Sequence, residues 1–241
     1  MEPDFPWQQH SLKMLKRSPL FKNIDDGTLL NMLQSFTPQT WMKRSPAMNP
    51  RQTLEQFYII ISGRLKVSQI HPETAREQTF FILKPGDVFD LVCLLDNREH
   101  DVITTCLDHL ETLCAPVQVV RAWIDKHPAF NRTFLPYLAQ RMRKLEELAT
   151  DLSLYDTWTR LAKLLLHSVD KKHPHKKLRL INDLSHEEIA NLIGSARAVV
   201  NRHIQHLKEE GILTARRGDL AIQDLHLLLE KVEKRLGFHR N

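Results

Sequence analysis

The sequence predicts an α+β chain with an antiparallel β-roll in front, a long helix in the middle and a winged helix-turn-helix at the back. Three observations predict it. All twelve prolines lie at or before Pro174, so the front is rich in turns and strand breaks while the rest can run as uninterrupted helix. Strand candidates recur about every 8–12 residues between positions 38 and 122, the spacing of an antiparallel sandwich or roll. Charge divides the chain in the same way. Residues 171–241 carry 14 Lys+Arg and 9 Asp+Glu, net +5, whereas the first 170 carry 20 of each, net zero. A basic segment beside a neutral one suggests an anionic partner for that segment, with nucleic acid the leading candidate.

Composition excludes several classes. Glycine is scarce, seven in 241 residues against a usual ~7%, and no two cluster. That removes the dinucleotide fingerprint and the phosphate-binding loop, which need several glycines within a few residues. Cys93, Cys106 and Cys114 have no disulfide-framework spacing. The acidic, polar MEPDFPWQQH is no signal peptide, and no apolar run is long enough to span a bilayer. A reducing cytoplasm is the expected location, with no membrane partner.

Residues 1–18 read as a polar tail with a short amphipathic helix. In 18–36, Asp25 or Asp26 can cap a helix with Leu29, Leu30, Leu33 and Phe36 on one face. FYIIISGRLKVSQI (57–70) is β-branched and aromatic, with Gly63 as a turn, and EQTFFIL (77–83) is a strand ended by Lys84-Pro85-Gly86-Asp87. VFDLVCLL (88–95) and DVITTCLDHLETLCAPVQVV (101–120) supply the remaining strand candidates. RAWIDKHP (121–128) is a short helix, and Pro128 opens a long helical stretch over 129–155. There Phe134, Leu138, Met142 or Arg141, Leu145, Leu148 and Leu152 recur at spacings of three and four. This heptad-like seam fits one more core helix or, as the sharper reading, a helix packing on its own copy. TWTRLAKLLLHSV (157–169) is amphipathic, with Asp156 at the N-cap place, and KKHPHKK (171–177) is a charged linker.

The stretch 184–230 carries most of the function. Ser185 and Glu188 form an S-x-x-E capping box, and Leu184 with Ile189 makes a hydrophobic staple, so a helix starts here. It ends at Gly194, which tolerates a positive φ. Ser195 can cap a second helix, from Ala196 to about Glu209, whose buried face is Ala196, Val200, Ile204 and Leu207, with Val199 flanking. Its opposite face shows Arg197, Ala198, Asn201, Arg202, Gln205 and Lys208. Two short helices joined by a glycine turn have helix-turn-helix grammar. The second offers what a major groove requires: Arg for guanine, Asn or Gln for adenine, Lys or Arg for phosphate. After Gly211, two short strands around Arg217-Gly218-Asp219 read as a wing whose Arg216 and Arg217 can reach phosphate.

With these residues in view, the chain resembles the superfamily of the cyclic-AMP receptor protein and the fumarate–nitrate reduction regulator. The resemblance rests on PLFKNI, FYIIISGRLKV, LKPGDVF, YDTWTRLAKLL and above all LSHEEIANLIGSARAVVNR. It implies a tail (1–18), a cyclic-nucleotide-binding-like β-roll sensor (19–127), a dimerisation helix and hinge (128–155) and a winged helix-turn-helix (156–241). It implies a homodimeric transcription regulator of palindromic double-stranded DNA, not an enzyme, with RNA polymerase as a further partner. It places Asp156 at the hinge and Arg197, Ala198, Asn201 and Arg202 at reading positions of the recognition helix.

Departures from the family pattern are equally informative. Where cyclic-nucleotide binders have Gly-Glu, and later Arg-Ser or Arg-Thr, this chain has Asp90-Leu91 and Asp101-Val102. A missing arginine and an added carboxylate repel a phosphate, so neither cAMP nor cGMP is expected to bind. No cysteine precedes Cys93, which excludes the N-terminal iron–sulfur cluster. Asp90 and Val92 stand where the carbon-monoxide sensors hold haem, so only haem held differently, by one of the 13 histidines, stays open. Ala198 replaces a glutamate that accepts from cytosine and offers only methyl contact. Cys106, His109 and Cys114, with Cys93, match no zinc spacing and read as buried strand residues. His173, His175, His203 and His206 read as solvated. Two alternatives accompany this reading: a metal- or haem-binding β-roll protein with an accessory helical domain, and a constitutive DNA-binding protein with a degenerate sensor. The effector itself is not legible.

Overall fold

The computed structural model describes residues 6–169, 178, 180–216 and 219–236. They form two compact units, one of residues 1–69 with 80–145 and the other of 70–79 with 146–241. The expected boundaries fell at 127/128 and 155/156. The observed division falls within the long helix and places a ten-residue arm, 70–79, in the second unit.

In the first unit, α1 (Pro6–Leu15) and α2 (Asp26–Leu33) precede the sheets. Of the two candidate caps for α2, Asp25 serves, accepting from the Thr28 N–H at 2.9 Å. Then come β1 (Thr37–Trp41), α3 (Pro50–Glu55), β2 (Gln56–Ser62), β3 (Leu65–Ile70), β4 (Glu77–Leu83) and β5 (Val88–Phe89), the last residue of β3 and the first three of β4 being counted with the second unit. They are followed by α4 (Leu91–Asp96), β6 (Ile103–Cys106), β7 (Leu110–Pro116) and α5 (Val117–Lys126). One sheet has the order β1-β7-β2-β5 and the other β4-β3-β6, with antiparallel pairing of β1 and β2 to β7, β2 to β5, and β3 to β6. Strand β2 is central and buried on both faces. Its odd residues Phe57, Ile59 and Ile61 face the helices, and its even residues Tyr58 and Ile60 fill the roll with Met48, Phe89 and Leu110. At the β2–β3 turn Gly63 has φ +81°, and a Cβ there would lie 2.3 Å from the His109 carbonyl oxygen.

Two strand expectations are corrected, and one helix is added. VFDLVCLL is a strand only at Val88–Phe89 and then turns into α4, because Asp90 takes a left-handed conformation (φ 63°) and accepts from the Cys93 N–H. Val117–Val120 belong to α5, which begins one residue after Pro116 ends β7. Pro50–Glu55 form a helix that the sequence reading left unassigned, started by an Asn49–Gln52 capping box. Short apolar runs are ambiguous between strand and helix, and here the caps decide.

Helix α6 (Pro128–Leu154) runs through both units. Its N-terminal half buries Phe130, Phe134 and Tyr137 in the core of the first unit, where the Phe130 and Phe134 rings stack at 5.5 Å. The second unit continues with α7 (Thr157–Ser168), α8 (His186–Ile193), α9 (Arg197–Glu209), β8 (Leu213–Arg216), β9 (Asp219–Ile222) and α10 (Leu225–Leu236). Its core combines Trp158, Leu161 and Leu165 of α7 with Ile189, Ile193, Val200, Ile204, Leu207 and the wing residues Leu213, Leu220 and Ile222. Among the described residues, no helix is long and apolar enough to cross a membrane.

Candidate nucleic-acid interface

Helix α8 starts as its sequence dictates. The Ser185 hydroxyl accepts from the Glu188 N–H at 3.2 Å, and the Glu188 carboxylate accepts from the Ser185 N–H at 2.7 Å. It ends at Gly194, φ +62°, whose N–H donates to the Ala190 carbonyl. Helix α9 then begins one residue later than expected, and Ala196, expected on its buried face, is exposed. Its N-cap is Ala196, with no side-chain hydrogen bond, so Ser195 is not the cap and Ala196 lies outside the helix. The consequence is chemical. The first-turn N–H groups of α8 are met by its own side chains, whereas no side chain caps those of α9, the arrangement that suits an incoming phosphate.

One face of α9 buries Val200, Ile204 and Leu207, all at 2% exposure or less. Arg197, Ala198, Asn201, Arg202, Gln205 and Lys208 are exposed on the other, and Ser195 is half-buried in the turn. Gln205 donates to Glu209 at 3.1 Å, so a base contact by its amide has to replace a bond within the helix. His203 is half-buried, and burial followed by the Arg202 cation pushes its pKa down. His206 Nδ1 lies 3.2 Å from Glu210. The wing strands pair from Leu213↔Ile222 to Arg216↔Asp219. Arg216 ends β8, its side chain lying outside the described residues, as does Arg217 altogether.

Asp156 caps α7, accepting from the Thr159 N–H at 2.7 Å and from Arg235 of α10 at 2.8 Å. Burial works against its charge, but the Thr159 bonds and the Arg235 cation hold the carboxyl below its ordinary value. The Arg235 guanidinium also lies 4.3 Å from the Trp158 ring centroid, so α10 closes over the start of α7. The residues expected to form the seam on α6 differ in exposure. Phe134 is 1% exposed within its own core and is unavailable to a partner, and Leu148 is half-buried. Besides Leu154 (74%) at its end, the exposed large apolar residues of α6 are Leu135 (61%) and the expected Met142 (56%), Leu145 (45%) and Leu152 (38%). With half-buried Leu138 and exposed Ala149 they recur at spacings of three and four.

In the β-roll, Asp90 is folded inward. Its side chain is 2% exposed, and Oδ1 lies 3.1 Å from His100 Nδ1. Burial penalises this carboxylate, yet the hydrogen bonds from His100, Cys93 and Thr53 hold its pKa below the ordinary value. The Asp90 bond raises that of His100, against the effect of burial. Leu91 packs in the core, and Arg121 of α5 donates to the Leu94 and Cys93 carbonyls at 2.8 and 3.1 Å. All three cysteines are buried: the Cys93 thiol donates to the Arg98 carbonyl at 2.9 Å, and burial pushes its pKa up to about 11. A third network was not read from the sequence. The Tyr137 hydroxyl accepts from the Val88 N–H at 3.1 Å and from Arg141 Nε at 3.1 Å, and lies 3.4 Å from Asp87. Burial pushes the pKa of Tyr137 up to about 12.

Comparison with known proteins places both regions. Residues 159–231 match the model of the Crp-like helix-turn-helix domain, and 43–127 match the cyclic nucleotide-binding domain. The CRP-like cAMP-activated global transcriptional regulator of Mycobacterium tuberculosis is 24% identical, covering 91% of this chain and 98% of its own. The cyclic AMP receptor protein of Thermus thermophilus is 26% identical over 90% of this chain and 97% of its own. The chain belongs to the superfamily of the cyclic-AMP receptor protein and the fumarate–nitrate reduction regulator. It is a transcription regulator with a helix-turn-helix DNA-binding domain.

The superfamily fold is matched as well. A mutant CooA of Carboxydothermus hydrogenoformans superposes with a TM-score of 0.69 at 23% identity, covering 84% of this chain and 90% of that one. The regulator CLP of Xanthomonas campestris gives 0.70 at 19% identity, over 83% of this chain and all of that one. The α8–α9 pair and Asp90–Leu91 therefore both lie within matched superfamily domains, the first in the helix-turn-helix and the second in the cyclic nucleotide-binding domain.

Proposed function

We propose that this regulator works as a homodimer reading a palindromic duplex through α9, under a signal other than a cyclic nucleotide. The observation that carries the reading is the exposed face of α9, where Arg197, Ala198, Asn201 and Arg202 stand over a fully buried opposite face. An α-helix of this kind fits the major groove, and Arg and Asn can read guanine and adenine there. Ser195, Lys208 and the wing residues Arg216 and Arg217 serve phosphate, with Asp156 as the hinge. The apolar stripe Leu135–Leu138–Met142–Leu145–Ala149–Leu152, exposed except at half-buried Leu138, supplies the dimer seam, because a 3-4 apolar repeat packs on its own copy. Two copies then place their α9 helices in half-sites about one helical turn apart.

The M. tuberculosis relative is cAMP-activated by name, but the inward carboxylate of Asp90 argues against a phosphate ligand here. Titration calorimetry with cAMP and with cGMP is expected to show no binding, and micromolar affinity for either overturns that part. Selection from random duplexes tests the rest. The expected product is a palindrome, bound by a species that sedimentation shows to be dimeric. Leu145→Glu is expected to give a monomer that loses the site. Absence of sequence enrichment, or a Leu145→Glu protein that stays dimeric, overturns the reading.

A further inference from the structure

The first three residues after Ala75 in the 70–79 arm each engage the last turn of α8 or the glycine that ends it. Arg76 Nη2 donates to the Gly194 carbonyl at 2.7 Å. Gln78 Nε2 donates to the Asn191 carbonyl at 3.0 Å and lies 3.4 Å from that of Leu192. Asn191 Nδ2 donates in return to Glu77 Oε2 at 2.7 Å. All these residues belong to the second unit. The carbonyls reached are those that the end of a helix leaves without intrahelical partners, and a cation beside them also meets the negative end of the helix dipole.

The fit is close. A Cβ on Gly194 would lie 2.4 Å from Leu152 and 2.9 Å from Gln78, so the left-handed glycine lets two side chains reach the turn backbone. The donors engage the backbone of the last turn of α8 and of Gly194, while Arg197, Ala198, Asn201, Arg202, Gln205 and Lys208 stay exposed with the clamp in place. The dihedrals of this turn set the angle between α8 and α9, and that angle decides where the exposed face of α9 points.

From this geometry we infer that Arg76, Glu77 and Gln78 are positioning residues for DNA recognition, holding the α8–α9 turn in the form that presents α9 to the groove. The inference rests on the DNA-reading function proposed above. It does not make the arm a DNA contact, because the Arg76 guanidinium is committed to Gly194, and it does not make the arm a mask, because the reading face is open.

The test uses the full-length chain and a duplex carrying the site selected by the unmodified protein. Sequence-specific binding by the unmodified protein comes first, and its absence sinks the parent reading rather than this one. Given that binding, Arg76→Met combined with Gln78→Leu is expected to weaken the selected site about tenfold, as for loss of a charged hydrogen bond. Affinity for unrelated duplex and the slope of affinity against salt are expected to stay unchanged, because no phosphate contact is removed. Arg76→Lys, which keeps a donor cation, is expected to recover most of the loss. A matching circular dichroism spectrum and melting midpoint exclude misfolding, and the rescue keeps the test valid if the double variant melts early. Unchanged or tighter binding by the double variant overturns the inference, as does failure of lysine to rescue. A salt slope reduced by about one also overturns it, since Arg76 would then be a phosphate contact.

Discussion

The exposed face of α9 and the start of α4 in the β-roll use their polar side chains in opposite directions. On α9, Arg197, Asn201, Arg202 and Lys208 stay exposed, and no side chain caps the helix N-terminus. In the β-roll segment, Asp90 is buried against His100 and caps α4, the Cys93 thiol meets the Arg98 carbonyl, and Arg121 holds the end of α4. Polar groups left without internal partners are available to an external one, while groups that satisfy each other hold a loop shut. Within one chain the first region therefore faces a partner, and the second, Asp90 Oδ2 apart, is bonded to itself.

Arg197→Ala gives the largest effect and the sharpest break between the two. The side chain is exposed and no internal bond holds it, so folding stability is expected to stay within about 0.5 kcal/mol. Binding to the selected duplex is expected to weaken by roughly 1–3 kcal/mol, with relaxed preference at a single base pair. Competition binding against single-base variants of the site checks this. Uniform weakening across all variants makes Arg197 a phosphate contact instead.

Tyr137→Phe probes the inward-facing side and is expected to reverse the pattern. Its hydroxyl accepts from the Val88 N–H and from Arg141 in a buried position. Phenylalanine keeps the ring but leaves both donors short of an acceptor, at a cost of about 1–3 kcal/mol. Urea denaturation is expected to show that loss, with the base preference of the remaining folded protein unchanged. An altered preference at the DNA site contradicts the division drawn above.

The two regions also differed in how far the sequence revealed them. The start and end of α8 are local, and Ser185, Glu188 and Gly194 fall within ten positions, so composition and spacing sufficed. On α6 the expected Phe134 is buried and the expected Leu148 half-buried. Phe134 and Leu148 are apolar neighbours of Leu135 and Ala149, and a 3.5-residue period does not choose between them. What chose was the stacking of Phe134 on Phe130, a matter of packing. The strand reading of 88–95 failed because Asp90 adopts a left-handed conformation that β-propensity does not anticipate. The grip of Arg76 and Gln78 on the turn joins residues more than 110 positions apart, beyond the reach of any local pattern.

The smallest expected effect is the pH dependence of the Asp90–His100 pair, and it sharpens the comparison because its consequence is confined to the inward-facing region. The pKa of His100 is raised above its ordinary value of 6.5 by Asp90, with Asp96 and Asp101 adding to the effect. Its contribution to stability is therefore fully present below about 6.5 and is lost as pH climbs through the raised folded value. The pKa of Asp90 is lowered from 3.8, so its share is present above that value and is lost as pH falls through the depressed one. The pair thus stabilises between about pH 4 and 6.5 and fades on either side. The Cys93 thiol, at about 11, does not titrate in that window. The imidazole side chain is 36% exposed, so solvent screening holds the pair to at most about 1 kcal/mol. Urea midpoints measured from pH 5 to 8.5 for the unmodified chain and for His100→Gln isolate this pair from the other histidines. The difference between the two proteins is expected to shrink as pH rises, and a difference that stays constant across the range rules the pair out as the cause.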